Sequence, residues 1–464
     1  MKSHYDIAVI GAGPAGLAAA LEAAEAGAEV ALFDEQPGPG GQIYRAIENP
    51  APAQTGILGE EYRQGRPLVE QLRGAPVDYL SGTTVWQVSA EREIGVSRNG
   101  TAQLVSAGQI ILATGALERP FPVASWTLPG VSTVGGAQIL LKTAGVVADG
   151  AVLAGTGPLL YLVANQYLRA GVSMAALLDT TPPGNRWRAL RHLPGALARF
   201  DLLAKGQGWI RNIQRSGTPF IRGVTELSIE GDSRVAAVNF QTATGVRRRI
   251  ETEHVFLHQG VVPNVNLSMA AGCDHEWDAA QICWRPQTDG WGETSLPGIA
   301  VAGDGAGIFG AQAAEHAGRI AALGALARLG RLSGENSHRR CKPHRLALAR
   351  ERKARPFIDA LFRPGKSFRI PRQPDTLVCR CEEVSAGRIR ETVAAGCAGP
   401  NQLKAFCRAG MGPCQGRFCG LTVSELIAEE TGRPMAEVGY YRLRPPVKPL
   451  LLEELANLDS PAAE

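Results

Sequence analysis

Between an apolar run, Ile7–Ile10, and an Ala/Leu/Glu-rich stretch, Leu17–Ala26, the chain places Gly11-Ala-Gly13-Pro14-Ala15-Gly16. A continuous apolar run suits a parallel strand buried on both faces, and the stretch after the glycines reads as a helix. The G-x-G-x-x-G spacing gives each glycine a task. Gly11 makes the tight turn, Gly13 lets the backbone approach a pyrophosphate, and Gly16 lets the helix pack closely on the strand. The helix N-terminus then offers unpaired N–H groups to the phosphates. A second apolar run, Val30–Phe33, ends at Asp34, 23 residues after Gly11, where a ribose hydroxyl needs an acceptor. Glu35 is the adjacent alternative. The unit is half of a doubly wound α/β fold.

The pattern recurs. Val152–Ala154 is a strand, Gly155-Thr-Gly157 a turn, Leu159–Ala170 a helix and Val172–Leu178 the next strand. Leu160 stands in the third glycine position, where its side chain should hold the helix away from the strand. Asp179, 24 residues after Gly155, suits a ribose contact, and no clear Arg pair follows it to favour a 2′-phosphate. NADH, a tightly held adenine nucleotide and a vestigial site all stay open for this second turn.

Short strands around Val85 and Val96 lead to a buried strand, Gln109–Ala113, which runs on into Thr114-Gly115. Gly40-Gly41-Gln42 follows the first acid, and Ile299–Ala302 ends in Gly303-Asp304 before a helix from about Ala311. These segments resemble thioredoxin-reductase-like and glutathione-reductase-like flavoproteins over residues 5–328. The resemblance implies FAD at the first turn, with Asp304 on the flavin ribityl chain. It also implies an NAD-type insertion between two parts of the FAD domain, with re-entry at Val261-Val262-Pro263-Asn264. Disulfide reductases of this fold need a redox Cys pair beside the flavin. No C-x-x-C occurs, and Cys273 and Cys283 are too far apart to form one, so disulfide reduction is excluded.

Four of nine cysteines cluster near the C-terminus: Cys379-Arg-Cys381, then 32 residues, then Cys414-Gln-Gly-Arg-Phe-Cys419. Two close thiolate pairs suit Zn²⁺ or a [2Fe-2S] cluster, both sulfur-preferring. Gly410-Met-Gly412-Pro-Cys414-Gln-Gly416 lets backbone N–H groups approach the sulfurs, and a helix from about Leu421 adds positive potential. The module resembles the bacterioferritin-associated-ferredoxin-like [2Fe-2S] domain in Val378–Val384, Asn401–Lys404 and the Gly-Met-Gly-Pro-Cys-Gln-Gly run. That implies Cys379, Cys381, Cys414 and Cys419 as iron ligands, with Cys397 and Cys407 as packing residues.

Taken with Gly40-Gly-Gln-Ile-Tyr-Arg45 and the missing redox pair, the chain resembles the flavin/iron–sulfur subunit of heteromeric amino- and imino-acid dehydrogenases. Opine oxidases, hydrogen cyanide synthase and D-hydroxyproline dehydrogenase belong to that group. The resemblance implies an amino-acid-oxidase-like partner subunit that oxidises the amine, and often a small ferredoxin subunit. An NAD(P)H-dependent reductase sending electrons out through the cluster, and an iron–sulfur scaffold with an inert flavin, are the alternatives. His258, His316, His338 and His344 are scattered and offer no clear acid/base for amine oxidation.

The expected class is α/β: a two-dinucleotide-domain, Rossmann-like flavoprotein with a small helical C-terminal [2Fe-2S] domain. Its parts are FAD domain 1–140, insertion 141–258, FAD domain 259–330, basic linker 331–375, cluster domain 376–440 and tail 441–464. The net charge of +4 gives no argument for nucleic acid. Neither a signal-peptide pattern nor an eighteen-residue apolar run is present, so a cytoplasmic location is expected. Residues 331–373 carry thirteen Lys/Arg against three Asp/Glu, and 184–223 eight against one. Either stretch is solvated surface or a place where a partner docks, and 331–373 could also lie against a membrane.

Overall fold

The computed structural model describes residues 1–48 and 54–458. The chain opens with β1 (His4–Ile10), α1 (Pro14–Glu25) and β2 (Val30–Asp34), the unit expected from the glycine spacing. β1 and β2 run parallel, from Ile7 opposite Val30 to Ile10 opposite Phe33. β3 (Val77–Ser81), β4 (Thr83–Val88), β5 (Glu93–Arg98) and β6 (Thr101–Leu112) complete the order β3-β2-β1-β6-β5-β4. The sheet is parallel at its centre and antiparallel at the β4–β5–β6 edge. Alternate central residues feed two cores: Ile7, Val9 and Leu32 pack under α1, while Tyr5, Ile10 and Phe33 face the other side. Both faces are covered, which is why these strands read as unbroken apolar runs.

β7 (Ala116–Glu118) carries the chain out to a second domain. There β8 (Val131–Thr133), α2 (Val134–Ala144), β9 (Ala151–Thr156), α3 (Pro158–Arg169), β10 (Met174–Asp179) and β11 (Phe220–Arg222) follow in turn. A three-stranded antiparallel sheet comes next, β12 (Val224–Glu230), β13 (Ala237–Thr242) and β14 (Arg247–Glu251), and then β15 (Val255–Gln259). The parallel sheet has the order β11-β10-β9-β15-β8. Because β8 pairs with β15, the insertion begins before residue 141, the boundary expected from sequence. β8 is three residues long and its pairing is non-local, so no local pattern announces it. The basic stretch 184–223 does form helices, Asn185–Leu190, Leu193–Leu197 and Phe200–Arg215, before β11. β16 (Val261–Pro263) pairs antiparallel with β7, so chain exit and re-entry form one ribbon. β17 (Ile299–Val301) then joins β6, and α4 (Ala311–Arg328) packs beside α1.

The stretch 331–375 is not a linker. α5 (Gly334–Arg352) lies along α4, and α6 (Arg355–Leu361) packs on the helix Asn185–Leu190. Among its charges, Arg331 is tied to Asp6, Arg340 to Glu22, Lys366 to Glu429 and Arg369 to Glu425. Composition suggested a solvated spacer because the partners of these arginines lie far away in sequence. No helix among the described residues is long and apolar enough to cross a membrane. The C-terminal module comprises α7 (Ala386–Ala394), α8 (Pro400–Cys407) and α9 (Gly420–Thr431) around Ile389, Leu403, Val423 and Leu426. The tail returns to the first domain, where Val447 donates its N–H to Trp86 O (2.9 Å) and Glu454 accepts from Ser97 (2.6 Å).

Candidate functional site

A cavity of about 1130 Å³ runs between the two dinucleotide domains, larger than the roughly 300–1,000 Å³ of ordinary ligand pockets. Its walls include Gly11, Gly13, Pro14 and Ala15 of the first turn, Asp34 and Glu35, Gly41 and Gln42, Ala113 to Gly115, and Asp304. Gly16 and Gly303 act from behind this wall. A Cβ on Gly16 would fall 1.8 Å from Gly11 O, so only glycine lets α1 approach β1 this closely. Gly303 has φ 72° and abuts Ala15.

Asp34 is buried at the end of β2, accepting the N–H of Ala12 (2.5 Å) and of Gln36 (2.7 Å). Burial pushes its carboxyl up, against the pull of those two N–H groups. Glu35 is exposed and pairs with Lys448 of the tail (2.5 Å), both on the cavity wall. Asp304 uses one oxygen, Oδ1, to accept from Phe309 N (2.9 Å) and Gly310 N (3.0 Å) at the start of α4. Burial pushes this carboxyl up as well. Asp304→Ala should lower FAD occupancy about 10–100-fold in affinity, the worth of a charge-assisted hydrogen bond. Flavin absorbance per chain after dialysis measures it.

At the second turn, α3 starts at Pro158 with Leu160 fully buried between it and the sheet. The leucine is therefore part of the core that separates helix and sheet. Gly155 makes a close contact with the neighbouring strand, its Cβ position 1.8 Å from His258 O, as Gly11 does with Ala113 O in the first turn, while Gly157 faces the His258 ring. Asp179 accepts the Tyr161 hydroxyl (3.0 Å) and the Thr181 N–H (2.8 Å), so each of its oxygens already has a partner. The large cavity reaches Gly157, whereas Gly155 and Asp179 lie outside its lining.

In the C-terminal module, Cys379, Cys414 and Cys419 are buried and Cys381 is exposed. The thiols approach in pairs: Cys379 with Cys419, which with the Gly410 N–H (3.5 Å to Sγ) draws the Cys379 thiol down to about 6, and Cys381 with Cys414. A Cβ on Gly412 would collide with Cys381, 2.3 Å from its Cβ. Among the described residues, no group of three or more His, Cys, Asp or Glu side chains is gathered to hold a single metal ion. Cys397 and Cys407 point instead at the carbonyls of Gly399 and Leu403 (3.4 Å each). Arg417 and Phe418, between Cys414 and Cys419, line the cavity that also holds Asp304, and Asn266 donates to Gln415 O (3.0 Å).

Several cavity residues carried no sequence signal. His258 Nδ1 lies 2.6 Å from Glu118 Oε1, and Glu118 also accepts from Gly135 N at the start of α2 (2.9 Å). Arg119 is buried and donates to Gln281 O (2.8 Å) and Ile282 O (2.9 Å). Lys142 is buried in α2, inside a stretch that reads as an ordinary amphipathic helix.

Two joined dinucleotide-binding domains around one inter-domain cavity define an FAD-dependent oxidoreductase of the reductase type. The chain belongs to the pyridine nucleotide-disulphide oxidoreductase family, which it matches over residues 5–321. Residues 373–458 match the sarcosine oxidase A3 domain. The chain is 47% identical over 468 residues to an opine oxidase subunit of Agrobacterium tumefaciens (strain Ach5), covering 99% of this chain and 92% of that one. Hydrogen cyanide synthase subunit HcnB of Pseudomonas aeruginosa is 30% identical over 472 residues, covering 98% and 99%. The crystal structure of L-proline dehydrogenase from P. horikoshii shares the fold at TM-score 0.70 and 21% identity, over 97% of this chain and 78% of that one.

Proposed function

We propose that this chain is the electron-relaying subunit of a complex that oxidises an amino or imino acid of the opine, D-hydroxyproline or glycine class. In this reading FAD lies along Gly11–Gly16, Asp34, Gly41-Gln42, Ala113–Gly115 and Asp304. Cys379, Cys381, Cys414 and Cys419 hold a [2Fe-2S] cluster. An amino-acid-oxidase-like flavoprotein subunit removes the electrons from substrate, and a small ferredoxin subunit is a further partner. The observation that carries the reading is the shared cavity, since the loop between Cys414 and Cys419 forms part of the wall that also holds Asp304.

The residues fit both groups. Pairwise approach of four thiols supports a two-iron cluster better than one ion, because each iron takes two cysteines. The Gly410 N–H donates to Cys379 Sγ, and the missing side chain at Gly412 lets the loop pass against Cys381. FAD, when bound, exchanges electrons in pairs with an organic donor and singly with an iron–sulfur centre. The chain's own residues supply the frame: the α1 N-terminus faces the pyrophosphate, Asp304 holds the start of α4, and Asn266 ties the cysteine loop to the re-entry ribbon. The likeness to subunits named for opine oxidase and hydrogen cyanide synthase supports the substrate class and the division of labour.

Anaerobic purification should yield one FAD, two irons and two acid-labile sulfides per chain. The isolated chain should not reduce a dye from any amine donor, whereas co-expression with the partner subunit should restore dye reduction. Zinc without sulfide would overturn the cluster, and dye reduction by the chain alone would overturn the relay. NADH should bleach the flavin poorly or not at all, because Gly155 and Asp179 lie outside the cavity lining. Rapid bleaching by stoichiometric NADH would favour a nicotinamide-dependent reductase instead.

A further inference from the structure

Lys142 sits on the wall of the cavity and is 3% exposed. Its Nζ donates to Gln42 O (3.0 Å), Ile43 O (2.9 Å) and Gln138 Oε1 (2.9 Å). Three acceptors match the three N–H groups of an ammonium, and a neutral amine would leave one acceptor unused. All three acceptors are neutral, so the positive charge is solvated but not cancelled. Gln138 cannot turn away, because its Nε2 donates to Gln166 Oε1 (2.9 Å), and Gln166 in turn donates to Leu58 O (3.2 Å). The chain of bonds joins the second domain, which supplies Lys142, Gln138 and Gln166, to the FAD domain, which supplies Gln42, Ile43 and Leu58.

A buried cation without an anion costs several kcal/mol unless a ligand brings the negative charge. Burial, with Arg45 nearby, pushes the Lys142 ammonium down to about 7, which expresses the same cost. FAD carries two places for negative charge. The pyrophosphate is served by the α1 N-terminus and Gly13. Lys142 lies instead beside Gln42 and Ile43, on the segment that follows the first turn toward the second domain. With the pyrophosphate at the glycine turn, the redox ring would be the part of FAD that reaches this end of the cavity.

We propose that Lys142 is a positioning residue for the flavin: its ammonium fixes the Gln42–Ile43 segment and raises the flavin midpoint potential by favouring the reduced, anionic ring. The proposal rests on the FAD reading above. Electrostatics is the lever, since a charge fixed near the ring acts through low-dielectric surroundings.

The test measures the flavin midpoint potential of the full chain by anaerobic titration against a reference dye, for wild type, K142Q, Q138E and K142R. K142Q removes the charge, and Q138E sets a carboxylate against it. Each should lower the reduced-to-oxidised ratio about tenfold at a given potential, ~30 mV for a two-electron couple. K142R keeps the cation and should recover most of that shift. Unchanged potentials in flavin-loaded K142Q and Q138E overturn the proposal. If K142Q retains no flavin, Q138E decides alone by the same criterion. A colourless wild type would refute the FAD reading instead.

Discussion

Gly16→Ala should empty the chain of flavin. The new methyl would lie 1.8 Å from Gly11 O and 3.0 Å from Gly11 C, both backbone atoms that cannot rotate aside. α1 must then move off β1, and its first turn carries the N–H groups aimed at the pyrophosphate. Overpacking of this kind costs about 1–3 kcal/mol in stability. The displacement should weaken FAD by ~100-fold, since both the turn and the helix end retreat from the phosphates. Gly74→Ala is the control, because nothing lies within 4 Å of its Cβ position. Fluorescence-monitored FAD rebinding to the apoprotein distinguishes the two. Wild-type affinity in Gly16→Ala would show that the first turn does not hold the pyrophosphate.

Arg369→Ala should loosen the C-terminal module. Glu425 on α9 has a side chain 3% exposed, and Arg369 beside it is 15% exposed. Removing one partner of a buried pair leaves an uncompensated charge, at a cost of about 3–5 kcal/mol. Arg119, fully buried, also feels the Glu425 charge and should keep the loss near the lower end. Urea unfolding followed by circular dichroism reads this loss directly. Replacing both partners, Arg369→Met with Glu425→Leu, should recover only part of it, because buried Arg119 then loses the attraction of Glu425. A loss below about 1 kcal/mol would mean that water screens the pair, as at an exposed ion pair. The outcome also bears on the basic stretch: charge reversal at Arg369 or Arg340 should act on this chain's own folding before it acts on any partner.

The FAD half was legible because its chemistry is local. Gly11, Gly13, Gly16 and Asp34 lie within one strand–helix–strand unit, and the spacing that shapes the turn also sets how closely α1 packs on β1. The four cysteines stand out in sequence as two short motifs, but the thiols that approach, Cys379 with Cys419 and Cys381 with Cys414, pair across those motifs, which only folding decides. The second turn was half legible. Its strand, turn and helix stand where the pattern put them, with Leu160 buried between helix and sheet, yet that Asp179 stays outside the cavity is set by how the domains meet.

What amino-acid order alone settled is therefore the set of parts: two dinucleotide units, a cysteine module and the absence of a redox pair. Each is written in short-range spacing, where backbone geometry leaves few alternatives. Folding decided how the parts meet. It drew Val131–Thr133 into the second sheet, turned an apparent linker into α5 and α6, and strapped the tail over Trp86 and Glu35. It also placed Lys142 against Gln42 and Ile43, a hundred residues away along the chain. Such contacts depend on burial and on charges paired across long loops, and a lysine carries no mark of which carbonyls will surround it once water is gone.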